Sequence, residues 1–269
     1  MLTKRVLSAA VIIPAFVLIT LLGGWVFTLS IAVILAIGAW EFWRIFQQGE
    51  YAPNLFILIG GSFLISISRV IDYDQYTTPC LSILVMLAAF TAVIDHEKGK
   101  KNASINFNIT VGGLAYIGLI GSHLISLRFL PDGLYWTLLA IPAVAVGDVS
   151  AYFIGSAFGK HKIAPHVSPS KSVEGYLGGV AASSLYGLIF GTFIHSYASQ
   201  ITLINGVGLG FILGSITPLG DFVESMFKRQ FKLKDSGSLI PGHGGVLDRI
   251  DTLLIGTLIS YLLIRLLID

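Results

Sequence analysis

Long apolar runs, separated by short polar segments, follow one another along the whole chain. A helix needs about 20 mostly apolar residues to cross the hydrocarbon core of a membrane. The pattern therefore predicts about nine membrane-spanning helices. Their approximate bounds are 6–22, 25–46, 54–71, 78–94, 106–129, 134–159, 173–195, 201–228 and 250–268.

Glycine and proline interrupt two of these runs. Gly23 and Gly24 divide the continuous run 6–46, which predicts a helical hairpin with a tight turn. Pro218 breaks the long run 201–228, so a total of eight or ten spans also stays open.

The composition excludes most soluble classes of protein. Hydrophobic residues make up 54% of the 269 residues and charged residues 12%, whereas a soluble domain carries about 25% charged residues. With a mean hydropathy of +0.81, the chain cannot cover itself with a water-compatible surface. A soluble enzyme, a disordered chain and a disulfide scaffold are excluded, the last because Cys80 is the single cysteine. The 30 glycines suit close helix packing in lipid, so the sequence predicts an all-α integral membrane protein.

The distribution of positive charge predicts the orientation in the membrane. Cytoplasmic loops are enriched in lysine and arginine. With the N-terminus in the cytoplasm, all 17 lysines and arginines except Arg69, Arg128 and Arg265 fall on the cytoplasmic side. This predicts an odd number of spans and an external C-terminus. The formal net charge of only +2 gives no reason to expect a nucleic-acid partner.

The polar chemistry is concentrated in the second half of the chain. Residues 1–140 form apolar helices with short turns, to which we assign membrane anchoring, with dimerisation and lipid access as further roles. Residues 141–269 form the predicted catalytic half and contain two long cytoplasmic connections, 160–174 and 228–251. We expect these connections and the adjoining helix ends to border a polar cavity that faces the cytoplasm.

The richest polar stretch is the segment 225–251. Its glycines Gly242, Gly244 and Gly245 allow positive φ angles and a close approach of the backbone to a ligand. Successive N–H groups in such a loop, followed by a helix N-terminus, can hold phosphate oxygens.

Two carboxylates follow the glycines directly. Asp248 and Asp251 are three residues apart, which places both on one helix face. Such a pair suits a hard cation such as Mg²⁺. The alternative is that both complement the dipole at the first turn of a helix. The basic, glycine-rich segment before them favours the metal.

A second polar stripe lies in the run 201–228, where small and polar residues recur every three or four positions. Asp221 and Glu224 lie near its cytoplasmic end. A carboxylate within the membrane is costly, so each should face a cavity, a cation or a basic partner. The alternative to a functional role is an interhelical pair with a lysine or an arginine.

Two further segments carry polar candidates. Asp148 is a carboxylate in a helix of small residues, where a functional and a packing role are equally open. Gly155 and Gly159 predict a helix-packing face rather than a phosphate loop, because the spacing of a P-loop is absent.

The segment 168–175 predicts a helix start at which Lys171 and free N–H groups form an anion site. An ordinary helix cap is the alternative.

The remaining polar residues give no catalytic pattern. The scattered histidines lack metal-ligand spacing, and no Ser/His/Asp triad is predicted. Glu41 and Arg44, three residues apart on a predicted helix, are interpreted as a local ion pair.

The polar residues of 225–251 resemble the signature of the phosphatidate cytidylyltransferases, also called CDP-diacylglycerol synthases. That resemblance is carried by Ser225, Lys228, Arg229, Lys234, Asp235, Gly237, Pro241, His243, Gly244, Gly245, Asp248, Arg249 and Asp251. Upstream residues that resemble the same family are Asp148, Ala151, Tyr152, Gly159, Lys160, Ser168, Pro169, Lys171, Ser172, Glu174, Gly175, Gly220, Asp221 and Glu224. Ser170 departs from the family, which usually has lysine or arginine there. The specific motifs cover 145–252, and the first half is similar only in being hydrophobic and multi-spanning.

The resemblance implies a bacterial-type enzyme of the cytoplasmic (inner) membrane. Such an enzyme joins phosphatidic acid and CTP into CDP-diacylglycerol and releases pyrophosphate. The resemblance also implies dependence on Mg²⁺, leaves room for a second, monovalent cation, and implies a homodimer whose cavity opens to the cytoplasm and the lipid.

Roles for individual residues follow from the same resemblance. The expected metal ligands are Asp221, Asp248 and Asp251, and the expected catalytic residues are these three and Lys171. The residues expected to bind substrate are Asp148, Ser168, Lys171, Ser172, Lys228, Arg229, Lys234, His243, Gly244, Gly245 and Arg249. For the cytosine base, Ser168 and the loop 160–172 are the candidates.

The implied reaction suits these residue types. A lipid phosphate monoester has a second pKa of about 6, so it is largely dianionic at pH 7 and needs no strong general base. Catalysis then consists of positioning and charge neutralisation, with in-line attack on the α-phosphorus of CTP.

Several other functions stay open. Another lipid-phosphate nucleotidyl- or phosphotransferase, for example one acting on a polyprenyl phosphate, would use similar metal and basic groups. A CDP-alcohol phosphotransferase is disfavoured, because its denser run of aspartates is absent. A transporter would explain Asp148, Asp221 and Glu224 beside a broken helix, but no inverted repeat is evident. A purely structural membrane protein would not require two charged loops.

Overall fold

The computed structural model describes residues 2–71, 75–240, 242 and 244–268, and of residues 2–9 it describes the backbone alone. Helices dominate this part of the chain, as the hydropathy pattern predicts. Their bounds are α1 (Leu2–Leu22), α2 (Gly24–Gln47), α3 (Leu55–Ile71), α4 (Thr77–Glu97), α5 (Ala103–Gly113), α6 (Ile120–Phe129), α7 (Gly133–Phe158), α8 (Val173–Ile194), α9 (Leu203–Ile216), α10 (Pro218–Gln230) and α11 (Leu247–Ile268). A π-helical segment, Leu114–Leu119, joins α5 to α6.

The apolar runs coincide with helices. Seven helical stretches of the described chain are long and apolar enough to cross a membrane: Gly24–Gln47, Thr77–Glu97, Ala103–Phe129, Gly133–Phe158, Val173–Ile194, Leu203–Gln230 and Leu247–Ile268. Two shorter apolar stretches, Ala10–Leu22 and Leu55–Ile71, lie where the sequence predicts two further spans. A total of nine spans and a cytoplasmic N-terminus stay predictions.

Pro218 divides the longest predicted run, as expected from the sequence. Helix α9 ends at Ile216 and α10 begins at Pro218. Proline suits a first helical position, because the N–H that it lacks would have no helical acceptor there. On the α9 side of the break, the hydroxyl of Tyr176 donates to the carbonyl of Ser215 at 3.0 Å. A side chain of α8 thereby satisfies a backbone carbonyl beside the interruption.

The segment 168–175 contains the predicted helix start, but the residues before that start form a hairpin that the sequence does not predict. Strand β1 (Lys162–Ala164) pairs antiparallel with β2 (Ser168–Ser172), and α8 begins only at Val173. A residue before proline avoids the helical region, so Ser168 before Pro169 favours an extended backbone. Within the described residues, this short hairpin is the departure from an all-α fold.

The chain forms two compact units, and the first comprises Met1–Ser126 and Phe227–Ile250. In this unit α2 packs against α3 and the π-helical segment. A Cβ atom added at Gly61 or Gly113 would lie 2.6 Å from a leucine side chain of a neighbouring helix. These glycines therefore allow the close helix packing that the composition predicts.

The second unit comprises Leu127–Met226 and Asp251–Asp269. Its helices α7, α8 and α9 pack together. A Cβ atom at Gly179 would lie 2.9 Å from the carbonyl oxygen of Gly147, and one at Gly214 would lie 2.8 Å from the Cα atom of Val180. Such close backbone contacts form the framework that carries the polar side chains of this unit. The functional division at residue 140 stays a prediction.

Candidate active site

In the first unit, the carboxylate of Asp248 accepts hydrogen bonds from a lysine, a serine and the backbone of the loop. The donors are Lys228 Nζ at 2.6 Å, Ser236 N at 2.9 Å, Ser236 Oγ at 2.9 Å and Gly245 N at 2.8 Å. The side chains of Lys228 and Asp248 are only 8% and 5% exposed, so this ion pair is buried. Removing one member of a buried pair leaves the other charge without compensation. Asp248 thus ties α10, the loop that follows it and α11 into one polar network.

The connection between α10 and α11, residues 231–246, is called the glycine loop below. Two of its glycines have the positive φ that the sequence allows. Gly242 has φ 79° and Gly244 has φ 83°, a region that favours glycine. Gly245 does not have a positive φ. Glycine is needed there for space, because an added Cβ would collide with Ser236 Oγ and with the carboxylate of Glu41.

Glu41 contacts the glycine loop, although the sequence predicts only a local ion pair with Arg44 for it. It is 0% exposed, and its Oε2 atom accepts from Leu247 N at 2.7 Å and lies 3.2 Å from Ser236 Oγ. The predicted pair with Arg44 is wrong, because Arg44 is exposed and its guanidinium lies 4.9 Å from the centre of the Trp40 ring. A single carboxylate in the apolar run 25–46 was the available sequence signal.

The other basic residues of this segment lie on the surface. Arg229, Lys234 and Arg249 are exposed, and Arg229 Nη1 donates to the Leu233 carbonyl at 3.0 Å. The predicted substrate ligand His243 lies outside the described residues. The exposed cations are accessible to an anionic ligand, whereas the ammonium of Lys228 is already held by Asp248.

In the second unit, Lys171 and Asp221 form an ion pair between β2 and the first turn of α10. Lys171 Nζ lies 2.5 Å from Asp221 Oδ2, and the two side chains are 26% and 30% exposed. Ser225 Oγ donates to Asp221 Oδ1 at 2.9 Å, and Lys171 Nζ lies 4.7 Å from the centre of the Phe222 ring. Asp221 therefore has the basic partner expected of a carboxylate in this position. Glu224, one turn further along α10, is fully buried.

The hairpin that carries Lys171 is fixed to the start of α8. Ser172 caps this helix, with Oγ accepting from Gly175 N at 3.2 Å. Glu174 accepts from Lys160 N at 3.0 Å and from His161 Nδ1 at 2.6 Å. Ser168 and Ser172 are buried and Lys171 is half-buried. Since both ends of the hairpin are anchored, the position of the Lys171 ammonium is defined.

Asp148 and Asp251 meet through Thr252 in the same unit. Thr252 Oγ1 donates to Asp148 Oδ2 at 2.9 Å, and Thr252 N donates to Asp251 Oδ1 at 2.8 Å. Asp251 is buried, and an added Cβ at Gly220 would collide with its carbonyl oxygen. The residue before Asp221 thus lies directly against the backbone of Asp251. Asp148 also borders a small cavity together with Tyr176, Thr217 and Pro218.

The metal prediction can be compared with the donor groups present. Carboxylate oxygens are the ligands that Mg²⁺ prefers, so the residue types fit. Among the described residues, however, no group of three or more histidine, cysteine, aspartate or glutamate side chains is close enough to hold a metal ion. Lysines occupy one oxygen of Asp221 and one of Asp248. Metal binding by Asp221, Asp248 and Asp251 stays a prediction.

Known proteins resemble this chain over nearly its whole length. Residues 3–267 match the sequence model described as the cytidylyltransferase family. Three similar proteins are named phosphatidate cytidylyltransferase. The protein from Haemophilus influenzae is 35% identical over 94% of this chain and 95% of its own length. Those from Synechocystis and Staphylococcus aureus are 30% and 31% identical, covering 93% and 97% of this chain and 92% and 98% of their own lengths.

Proposed function

The chain belongs to the cytidylyltransferase family, and on that premise we propose that it transfers CMP from CTP to phosphatidic acid. The products are CDP-diacylglycerol and pyrophosphate. The observation that carries the proposal is the network around Asp248, because it gives the polar segment 225–251 a defined, buried framework. Similar proteins that match this chain from end to end are named phosphatidate cytidylyltransferase.

The proposed chemistry brings two anions together. An oxygen of the lipid phosphate forms a bond to the α-phosphorus of CTP, and the bond to the bridging oxygen of the β-phosphate breaks, so that pyrophosphate leaves. The half-buried Lys171 and the exposed Arg229, Lys234 and Arg249 offset the negative charge of both substrates. Lys228 and the backbone of Gly244 and Gly245 belong to the same proposed phosphate site. Asp148, Ser168, Ser172 and His243 keep their proposed roles in substrate binding.

Mg²⁺ is the proposed cofactor, with Asp221, Asp248 and Asp251 as its ligands. Bound Mg²⁺ would neutralise charge that develops on the phosphate oxygens. The ammonium groups of Lys171 and Lys228 already contact two of these carboxylates, so the cation would share the carboxylates with the lysines or replace them. A second, monovalent cation and assembly as a homodimer are further proposals that rest on the resemblance.

The proposed location is the bacterial cytoplasmic membrane, with the active site facing the cytoplasm. The seven long apolar helices support a multi-pass membrane protein. The similar proteins named above come from bacteria. A cytoplasmic site would give access to CTP, while helices in the bilayer would give access to the lipid substrate.

The test is product formation by the purified protein in detergent with phosphatidic acid, CTP and Mg²⁺. We expect CDP-diacylglycerol with Mg²⁺, none with EDTA, and recovery when Mg²⁺ is added back. Asp248→Asn and Asp251→Asn should each abolish turnover while the protein still inserts into membranes. Asp95→Asn is the matched control, because Asp95 forms a surface ion pair with Lys100 at 2.8 Å.

Three outcomes would contradict parts of this proposal. Absence of product from folded protein supplied with lipid would refute the reaction, and activity on a polyprenyl phosphate or another nucleotide would identify a related transferase instead. Full activity in EDTA would refute the Mg²⁺ assignment. Near-normal turnover of either aspartate variant would remove that residue from the proposed metal ligands.

A further inference from the structure

We propose that Glu41 of α2 is a positioning residue for the glycine loop and for Asp248, so that the first half of the chain contributes directly to the active site. The inference rests on the proposed function for its catalytic consequence. Whether Glu41 holds the loop in place does not depend on which reaction the protein catalyses, so it can be tested separately.

The Glu41 carboxylate is buried beside the loop and the start of α11. Glu41 is 0% exposed in a helix that is otherwise largely apolar. Burying a carboxylate is costly unless donors compensate for the lost water. The donors present belong to the loop and to the start of α11, namely Leu247 N at 2.7 Å and Ser236 Oγ at 3.2 Å. The loop therefore compensates for the burial of Oε2, whereas Oε1 has no hydrogen-bond partner among the described residues.

Two glycines of the loop pack closely against this carboxylate. A Cβ atom added at Gly237 or at Gly245 would collide with the carboxylate oxygens of Glu41. A larger residue at either position would need the space that the Glu41 carboxylate occupies. This close packing is independent of the hydrogen bonds, and it indicates that the conformation of the loop depends on the position of Glu41.

A single serine hydroxyl lies between the carboxylates of Glu41 and Asp248. Ser236 Oγ lies 3.2 Å from Glu41 Oε2 and 2.9 Å from Asp248 Oδ2, so one hydroxyl hydrogen serves two carboxylates. Glu41 also accepts from the backbone of Leu247, the residue directly before Asp248. Glu41 therefore contacts both the hydroxyl that binds the Asp248 carboxylate and the backbone of the residue before Asp248.

A cluster of aromatic rings holds α2 in the position that this role requires. Phe42 and Phe46 follow Glu41 on α2, and their ring centres lie 5.5 and 5.6 Å from that of Phe227. Phe46 also lies 5.4 Å from Phe231. These contacts join α2 to the end of α10 and to the first residue of the loop, so the Glu41 carboxylate has little freedom to move.

The test compares Glu41→Ala and Glu41→Gln with the control Glu50→Gln, which removes an exposed carboxylate just after the same helix. We expect Glu41→Ala to lower kcat about 100-fold, the loss typical of a small misplacement of catalytic groups, with little change in KM. Glu41→Gln keeps an acceptor for the Leu247 N–H and should recover a large part of the activity. The Glu50→Gln variant should behave as the unmodified protein.

A second measurement needs no activity. Amide hydrogen exchange of peptides that cover 231–250 should be faster in Glu41→Ala than in the unmodified protein, and unchanged in Glu50→Gln. Ser236→Ala removes the shared hydroxyl alone, and its effect should be less than additive with that of Glu41→Gln. Because Ser236→Ala leaves the α2 helix intact, it tests the proposal even where Glu41→Ala folds poorly.

The outcomes separate this inference from the reaction. Normal kcat in folded Glu41→Ala, or unchanged exchange of 231–250, would overturn the positioning role. The positioning role would also be overturned if Glu41→Ala and Glu41→Gln lost the same activity and if that loss equalled the loss of folded protein. Absence of CDP-diacylglycerol from the unmodified protein would refute the proposed function, while faster exchange in Glu41→Ala would still support the inference.

Discussion

At the scale of single residues, the two lysine–aspartate pairs have different environments. The pair of Lys228 with Asp248 is buried, whereas that of Lys171 with Asp221 is about one quarter exposed. A solvent-accessible ion pair adds only about 0–1 kcal/mol to stability. Lys171 therefore contributes little to folding, and its half-buried ammonium is available for a substrate anion.

Replacement of Lys171 should affect the reaction more than the fold. We expect Lys171→Ala to lower kcat/KM for CTP or for phosphatidic acid by about 100-fold, since a lost cation leaves phosphate charge uncompensated. The thermal midpoint in detergent should change little. Lys162→Ala, an exposed lysine of β1, is the matched control. Unchanged kcat/KM for both substrates would remove Lys171 from the catalytic residues.

At the scale of elements, the sequence predicts what is local and misses what is distant. Hydropathy places the helices, and Pro218 places the break between α9 and α10, because both effects act within a few residues. The start of α8 within 168–175 is predicted, whereas the strand Ser168–Ser172 is not, because it depends on pairing with β1. Glu41 was paired with Arg44 because the i,i+3 rule covers one helix only, whereas its hydrogen-bonding partner Ser236 is 195 residues away.

The glycine loop provides a prediction at this scale. Gly245→Ala should lower activity at least about tenfold and destabilise the protein by roughly 1–3 kcal/mol, because the added methyl group overpacks the loop against Ser236 and Glu41. Gly60→Ala is the control, since nothing lies within 4 Å of a Cβ there. Activity assays and thermal unfolding in detergent measure both effects. A fully active Gly245→Ala variant would contradict the tight packing of the loop.

At the scale of the whole molecule, the sequence predicts membrane orientation through charge alone. The loops 160–174 and 228–251 should both face the cytoplasm, because they contain most of the lysines and arginines of the second half. The turn between α6 and α7 should face the opposite side. Hydrogen bonds and packing describe contacts within the protein, so they do not indicate which side of the bilayer a loop faces.

Single-cysteine labelling tests this orientation. With Cys80 replaced by serine, exposed positions Ser170 and Ser238 are changed to cysteine one at a time, and Asp132→Cys serves as the external control. A thiol reagent that does not cross membranes should label Ser170→Cys and Ser238→Cys in inside-out vesicles only. Asp132→Cys should react in right-side-out vesicles. Labelling of all three from one side would contradict the predicted orientation.

The burial of Glu41 has a consequence for how the protein is made. The Leu247 N–H that Glu41 accepts from lies 206 residues further along the chain. At about 5–20 residues per second, the ribosome completes α2 about 10–40 s before it adds this donor. During that interval the α2 carboxylate has to stay near water or be shielded, because lipid offers it no donor. We therefore expect the position of α2 to become fixed only after the start of α11 has been synthesised.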